Sequence, residues 1–594
     1  MMKLNVMARR FALLGKTKTI AIAAVIAATL AAWAAIDGVS APARPMAGWM
    51  PSGAQLYIES PDFAGLLHNW NQSQDKRLWL KSDNYDVFSR SRLFGRLGDA
   101  QGEFAGAAGQ RPDMEFLNQI AGKQSGLAIY DIGKLEFLYI THMPNAAATQ
   151  TALMRSRNDF ESRKAGDAVF YLRSSGGAEQ GSGPGRTVAF AVSGDYLLLA
   201  TREDLLADAL TLMQNQNQKQ RSLNQDGWFA DVTRTLSQPG DLRMVLDLSR
   251  LVPSPYFRSY WVQQNVTDMG QYRSAASDLY LTHGEFHEER VLLPKSAENA
   301  GVEQSDLGEL KTLVPDGAGF YRAESAPGVD RILESIDTRL LSRKQMDYSD
   351  RTVAPVEVEA ATQAGGEGDF ETSIDAPPIA AVPKAAALGS LRNLLEAEQP
   401  ATMLIVEKTA SQADGVFIGY HSAVALESQK PWSASEVEDA IGLALASQMT
   451  AGKLGIEWKQ APGEAGYFAL DGLDPLSFAI EGRYLMMSDD AEMLSAMMQR
   501  PRAAKHAPGK ALVLLSGFNH GAERANFASA AHLMDGAGNS ANKEADGDGS
   551  GGAPQFLSRN VASLSSAFAA MQSEEVSEYW KGGAMHQTVR YEWK

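Results

Sequence analysis

The sequence predicts an α+β protein: two tandem, diverged modules behind an N-terminal transmembrane or signal helix, each a largely antiparallel sheet with helices packed on a face. Three observations predict it. A basic leader precedes an uncharged stretch, motif pairs recur in one order along the chain, and apolar alternation falls in neighbouring strand pairs joined by turn glycines. Short turns return the chain beside itself, so such strands pair antiparallel. At 594 residues the chain is long enough for more than one hydrophobic core.

The leader comes first. Arg9, Arg10, Lys16 and Lys18 precede the stretch from Thr19 to Ile36, and Asp37 is the next charge. As a helix this stretch reaches about 27 Å, close to a hydrocarbon core of roughly 30 Å. The positive flank stays cytoplasmic, so the bulk of the chain is expected to be periplasmic or extracellular, attached to the inner membrane by a single pass. The length of the basic leader favours a retained signal-anchor over cleavage after Ala32-Trp33-Ala34, which would release the chain to the periplasm. Residues 1–45 are thus leader, membrane helix and a spacer stiffened by Pro42 and Pro45.

The repeat follows. Phe190-Ala191-x-x-Gly194-x-Tyr196-Leu197, then Thr201 and an acidic leucine-rich segment, answers Phe478-Ala479-x-x-Gly482-x-Tyr484-Leu485, then Ser488 and a similar segment. Both read as a hairpin turning at the glycine, with Thr201 and Ser488 capping the next helix. Pro51-Ser52-Gly53-Ala54 with Tyr57 answers Pro315-Asp316-Gly317-Ala318 with Tyr321, and Leu127 to Asp131 answers Met403 to Glu407. Strands ending at His142 and His421 correspond, as do Met244 to Leu248 with Leu512 to Ser516. Gly284-x-x-His287 answers Gly583-x-x-His586 in the closing strand of each copy. Asn145 is expected to cap a long helix in the first copy, and Ser435 with Glu438 to box its counterpart. The modules are placed at 46–300 and 301–594, with low-complexity inserts at 353–384 and 536–554 in the second. Ser174 to Arg186 and Gln214 to Gln225 read as loops of the first.

Composition excludes several chemistries. With 71 acidic and 55 basic residues the net charge is −16, which repels polyanions, so nucleic acid is not an expected partner. The absence of cysteine removes disulfides, thiol nucleophiles and thiolate metal sites. No nucleophile elbow, phosphate loop or dinucleotide fingerprint stands in a suitable context, so no cofactor is expected.

Two groups remain as candidate sites. His283 and His287 lie four apart beside carboxylates, a spacing that puts two imidazoles on one face. Gly284 and the following apolar run favour a strand, and the second copy keeps only His586, so an ordinary sheet histidine is preferred to a metal ligand. Tyr256, Phe257, Tyr260 and Trp261, followed by amides, combine flat rings with hydrogen-bonding groups suited to a sugar or peptide. A core contact is the competing reading of these rings. No catalytic residue is assigned.

The run Pro51-Ser52-Gly53-Ala54-Gln55-Leu56-Tyr57-Ile58-Glu59 and the hairpin Gly194-Asp195-Tyr196-Leu197 resemble a family of bacterial envelope proteins of unknown function. The resemblance implies a membrane-anchored or exported protein and carries over no catalytic residue. The combined expectation is a non-catalytic binding or scaffold protein of the cell envelope, its partners being the membrane and an envelope protein or glycan. The alternative is an envelope hydrolase acting on peptide or glycan near His287.

Overall fold

The computed structural model describes residues 46–593 apart from 74–75, 77–79, 81–88, 90–91, 176–185, 215–219, 237–238, 256, 258–268, 282–285, 297–302, 342–387, 412–417, 450–456, 462–465, 471–474, 500–508 and 524–570. The stretch Thr19 to Ile36 and the inserts 353–384 and 536–554 lie outside the described residues. Among the described residues no helix is long and apolar enough to cross a membrane.

The protein is α+β with a large antiparallel sheet. Its strands are β1 (Leu56–Ser60), β2 (Ser125–Asp131), β3 (Glu136–His142), β4 (Glu161–Ala165), β5 (Ala168–Ser175), β6 (Arg186–Ser193), β7 (Tyr196–Ala200), β8 (Leu242–Asp247), β9 (Tyr272–Leu281) and β10 (Phe286–Pro294). There follow β11 (Phe320–Ser325), β12 (Thr402–Ser411), β13 (Ile418–Glu427), β14 (Lys459–Gln460), β15 (Tyr467–Leu470), β16 (Leu476–Glu481), β17 (Tyr484–Ser488), β18 (Leu514–Asn519), β19 (Met571–Lys581) and β20 (Ala584–Trp593). Two compact units divide them. One runs to Val302 and resumes at Gly517 for the rest of the chain, with residues 415–417; the other takes Glu303–Asp414 and Ile418–Ser516.

In the first unit the strand order is β4-β5-β6-β7-β3-β2-β1-β8-β9-β10-β20-β19, every neighbour antiparallel. The C-terminal hairpin, which closes the second half of the sequence, therefore extends the sheet of the first unit. In the second unit the order is β14-β15-β16-β17-β13-β12-β11-β18, of β18 only Leu514 to Ser516, antiparallel from β14 through to β11.

Helices cover both faces of the first sheet, where the sequence led us to expect one. Successive strand residues point to opposite faces, and in this sheet both sets are apolar. Leu56 and Ile58 enter one core while Tyr57 enters the other; Leu197 and Leu199 oppose Leu198 and Ala200. On the first face lie α1 (Phe63–Gln72), α2 (Arg92–Ala108) and α3 (Met114–Ile120). Asp62 and Asp113 start α1 and α3 by accepting from Gly65 N and Phe116 N, at 3.0 and 2.9 Å. Next in the chain, α4 (Asn145–Ala148) and α5 (Ala152–Arg155) are single turns. The second face carries α6 (Glu203–Met213) and α7 (Gly227–Thr233) through Leu206, Leu210, Phe229 and Val232. A short turn, α8 (Leu248–Leu251), follows β8. In the second unit α9 (Gly308–Lys311), α10 (Val329–Ile336), α11 (Gly389–Glu398), α12 (Ala434–Met449) and α13 (Ala491–Met498) occur in that order. There Ile332, Leu395 and Ile441 pack with Ile405, Val424 and Phe478 in one core.

Gly194 and Gly482 turn their hairpins with φ of +58° and +60°, a region that favours glycine, as the sequence predicted. The caps differ. The hydroxyl of Thr201 accepts from Phe137 N at 2.8 Å, and that of Ser488 donates to Ser422 O at 2.9 Å, so neighbouring strands engage both. Helix α6 starts after Arg202, and α13 after Asp490, whose carboxylate accepts from Glu492 N at 2.9 Å. Asn145 begins only the single turn α4, its amide donating to Gly194 O at 3.1 Å. Ser435 lies inside α12, which starts at Ala434. His421 is interior to β13, whose last residue is Glu427. Ser174, Ser175 and Arg186, read as loop, are strand residues: Ser175 pairs with Arg186 across β5 and β6.

Candidate functional site

Among the described residues, a site-like feature is an apolar cavity of about 150 Å³ in the first unit, between α2, α3 and the sheet. Its floor is built by alternation. Leu127 and Ile129 of β2, Phe137 and Tyr139 of β3 and Leu199 of β7 all project from the same sheet face. Its cover comes from helical spacing: Leu97, Ala100, Gln101 and Phe104 of α2, with Phe116, Leu117 and Ile120 of α3. Phe104 and Phe116 meet edge to face at 5.7 Å and join the two helices. Phe63, Pro112, Leu135 and Arg186 complete the lining.

Arg186 and Tyr139 are committed to partners within the protein. Arg186, 7% exposed, donates to Glu103 Oε2 from Nε at 3.2 Å and from Nη2 at 2.9 Å. It also donates to Lys134 O and Leu135 O at 2.8 and 3.0 Å, so every guanidinium nitrogen is used. Glu103 Oε1 accepts from Arg96 at 3.0 Å. These bonds latch α2 to the start of β6 and to the β2–β3 turn. Leu135 sits in that turn at φ +53°, a strained conformation for a residue with a side chain. The Tyr139 hydroxyl donates to Ser125 Oγ at 3.3 Å, and burial pushes its pKa up to about 12, so it is neutral at physiological pH.

Burial pushes the Glu103 carboxyl up, but the hydrogen bonds and charges of Arg96 and Arg186 outweigh it and hold it below the usual range. A carboxyl depressed in the folded state adds stability that is complete above its unfolded value, near about 4.3, and is lost as pH falls through the folded value. The urea midpoint of the wild-type protein should therefore exceed that of Glu103→Gln at neutral pH, and the gap should close in acid below that unfolded value. A gap that stays constant with pH would show that the latch is not ionic.

The cavity can bind but is not equipped to catalyse. Among the described residues its lining contains no Ser, His, Asp or Glu, hence no nucleophile beside a base and no acid–base pair there. Elsewhere in the unit, the Glu59 carboxyl is raised by burial, yet it accepts from Gln124 at 2.9 Å and from the Tyr57 hydroxyl at 3.1 Å. It too is occupied by protein.

The residues singled out from sequence lie elsewhere. Phe257 is buried in the same core as Leu248 and Leu251, a packing position; Tyr256, Tyr260 and Trp261 lie outside the described residues. His287 stacks on Tyr280 across the β9–β10 hairpin at 4.7 Å, and His586 on Tyr579 across β19–β20 at 4.9 Å. His283 is outside the described residues, among which no three His, Asp or Glu form a metal-binding group.

No known family model matches the sequence, and no curated protein matches it. Among solved structures, one of TP0453 in its crystal form I aligns over 44% of this chain and 82% of its own, with 13% identity and a TM-score of 0.21. A likeness at that level carries no structural or functional argument.

Proposed function

We propose that this chain is a non-catalytic binding protein of the bacterial cell envelope, built from two diverged copies of one α+β module, whose first unit holds an apolar ligand. The observation that carries the binding reading is the cavity: apolar, without a nucleophile or carboxylate among its described lining residues, and covered by a helix that Glu103 and Arg186 tie down. An apolar cavity of about this size accepts a small apolar molecule.

Duplication is supported by strand order. The series β4-β5-β6-β7-β3-β2-β1-β8 reads one for one as β14-β15-β16-β17-β13-β12-β11-β18, and β9–β10 reads as β19–β20. Gly53 and Gly317, alike in sequence, both have positive φ, at +103° and +82°. The stacked pairs Tyr280–His287 and Tyr579–His586 are equivalent as well. One sequence pairing shifts: Tyr196 faces His142, whereas Tyr484 faces Glu427, so Glu427 and not His421 answers His142. Placement at the inner membrane rests on the basic leader before Thr19 to Ile36.

The test is ligand-linked stability. Benzene at ten times its Kd should raise the stability of the first unit by about 1.4 kcal/mol. Ala100→Leu fills the cavity from a helical position that leucine favours, and should remove this response without lowering the Tm. An equal response in both proteins would exclude the cavity as the site.

A further inference from the structure

We propose, building on the binding reading above, that the occupant is the tail of a single-chain amphiphile, inserted methyl end first with its head left outside beside Gln101. The cavity grades from dry to wet. Phe104, Leu127 and Leu199 are buried, Leu117 is half-buried and Gln101 is exposed, so an entering ligand has one end in the core and the other in water. That polarity matches a chain with a head rather than a compact apolar solute. The volume, about 150 Å³, accommodates only the terminal part of such a chain.

The head is not recognised. Arg186 is the one charged residue among the described residues of the lining, and its guanidinium is consumed by Glu103 and by the carbonyls of Lys134 and Leu135. A carboxylate or phosphate that displaced Glu103 would have to break the charge-assisted bonds holding α2, and the half-buried Glu103 carboxylate beside it would oppose it. Affinity therefore comes from methylene burial alone, which is indifferent to head charge and to salt.

Calorimetric titration of the full chain with n-alkanols, n-alkanoates and n-alkyltrimethylammonium ions, from butyl to decyl and below micelle formation, tests this. Affinity should rise about fourfold per methylene until the cavity is full and then level off, with the three head groups superimposed. The gain with chain length should vanish in Ala100→Leu. A flat dependence on chain length with retained benzene binding would overturn the proposal and leave a site for compact solutes. A marked preference for one head, abolished by salt, would overturn it in favour of head recognition. Failure of benzene and all three series together would instead strike the binding reading itself.

Discussion

Asp278→Ala should destabilise the first unit by about 3–5 kcal/mol. Asp278 and Arg243 face each other across β9 and β8, joined by two hydrogen bonds of 2.7 and 2.6 Å, with side chains 1% and 10% exposed. Removing the carboxylate leaves a guanidinium in a site closed to water, and it strips Gly240 N of an acceptor at 3.4 Å. Desolvation already cancels much of the attraction in an intact buried pair, so replacing both partners costs far less than breaking one. Arg243→Met with Asp278→Leu should thus recover most of the loss, though not all, because the Arg243 charge also favours ionised Glu59. Urea unfolding of the wild type, the single and the double variant gives the comparison. A single variant within 1 kcal/mol of wild type, on the scale of exposed pairs, would show that water reaches the pair.

That pair illustrates which parts of the structure could be read in advance. Charged residues scattered through an acidic chain read as solvated faces, and nothing local to Arg243 or Asp278 distinguishes two that meet across a strand pair. Turn glycines were legible because positive φ at Gly194 and Gly482 leaves few other residues available. Strands were legible because alternation and apolar runs are written into consecutive residues. Caps were not: Thr201 and Ser488 had the right chemistry, but their hydroxyls were engaged by β3 and β13, which are distant in sequence. The cavity failed for the same reason, since its walls come from residues between Phe63 and Leu199 on several elements. Leu97, Ala100 and Phe104 do recur at helical spacing, but that pattern signals any packed helix. The ring group drew attention by composition, whereas Phe257 serves the core.

Replacing Gly95, Gly98 and Gly102 with alanine should stabilise α2 by about 2–3 kcal/mol in all and slow ligand exchange. Glycine in a helix costs about 0.8–1 kcal/mol relative to alanine, a cost usually explained by close packing or a special backbone conformation. Neither explanation applies here. Beyond the helix's own backbone and the adjoining residues, a Cβ at any of the three positions would meet no described atom within 4 Å, and none has positive φ. The helix over the cavity is therefore weak for no packing reason, and it is held by Glu103 with Arg186, by Arg173 of β5 donating to Ala107 O at 2.5 Å, and by Phe104 with Phe116 of α3. A frail helix lowers the free energy of local opening, which is what a covered site needs for a ligand to enter and leave. If opening of α2 limits exchange, 2 kcal/mol corresponds to about a 30-fold slower approach to equilibrium with Kd little changed, because bound and free states share the closed helix. Stopped-flow mixing with an alkyl ligand, alongside thermal unfolding, separates the two effects. A higher Tm with unchanged exchange rates would mean that the ligand passes elsewhere; slower exchange in proportion to the added helix stability would establish α2 as the moving cover.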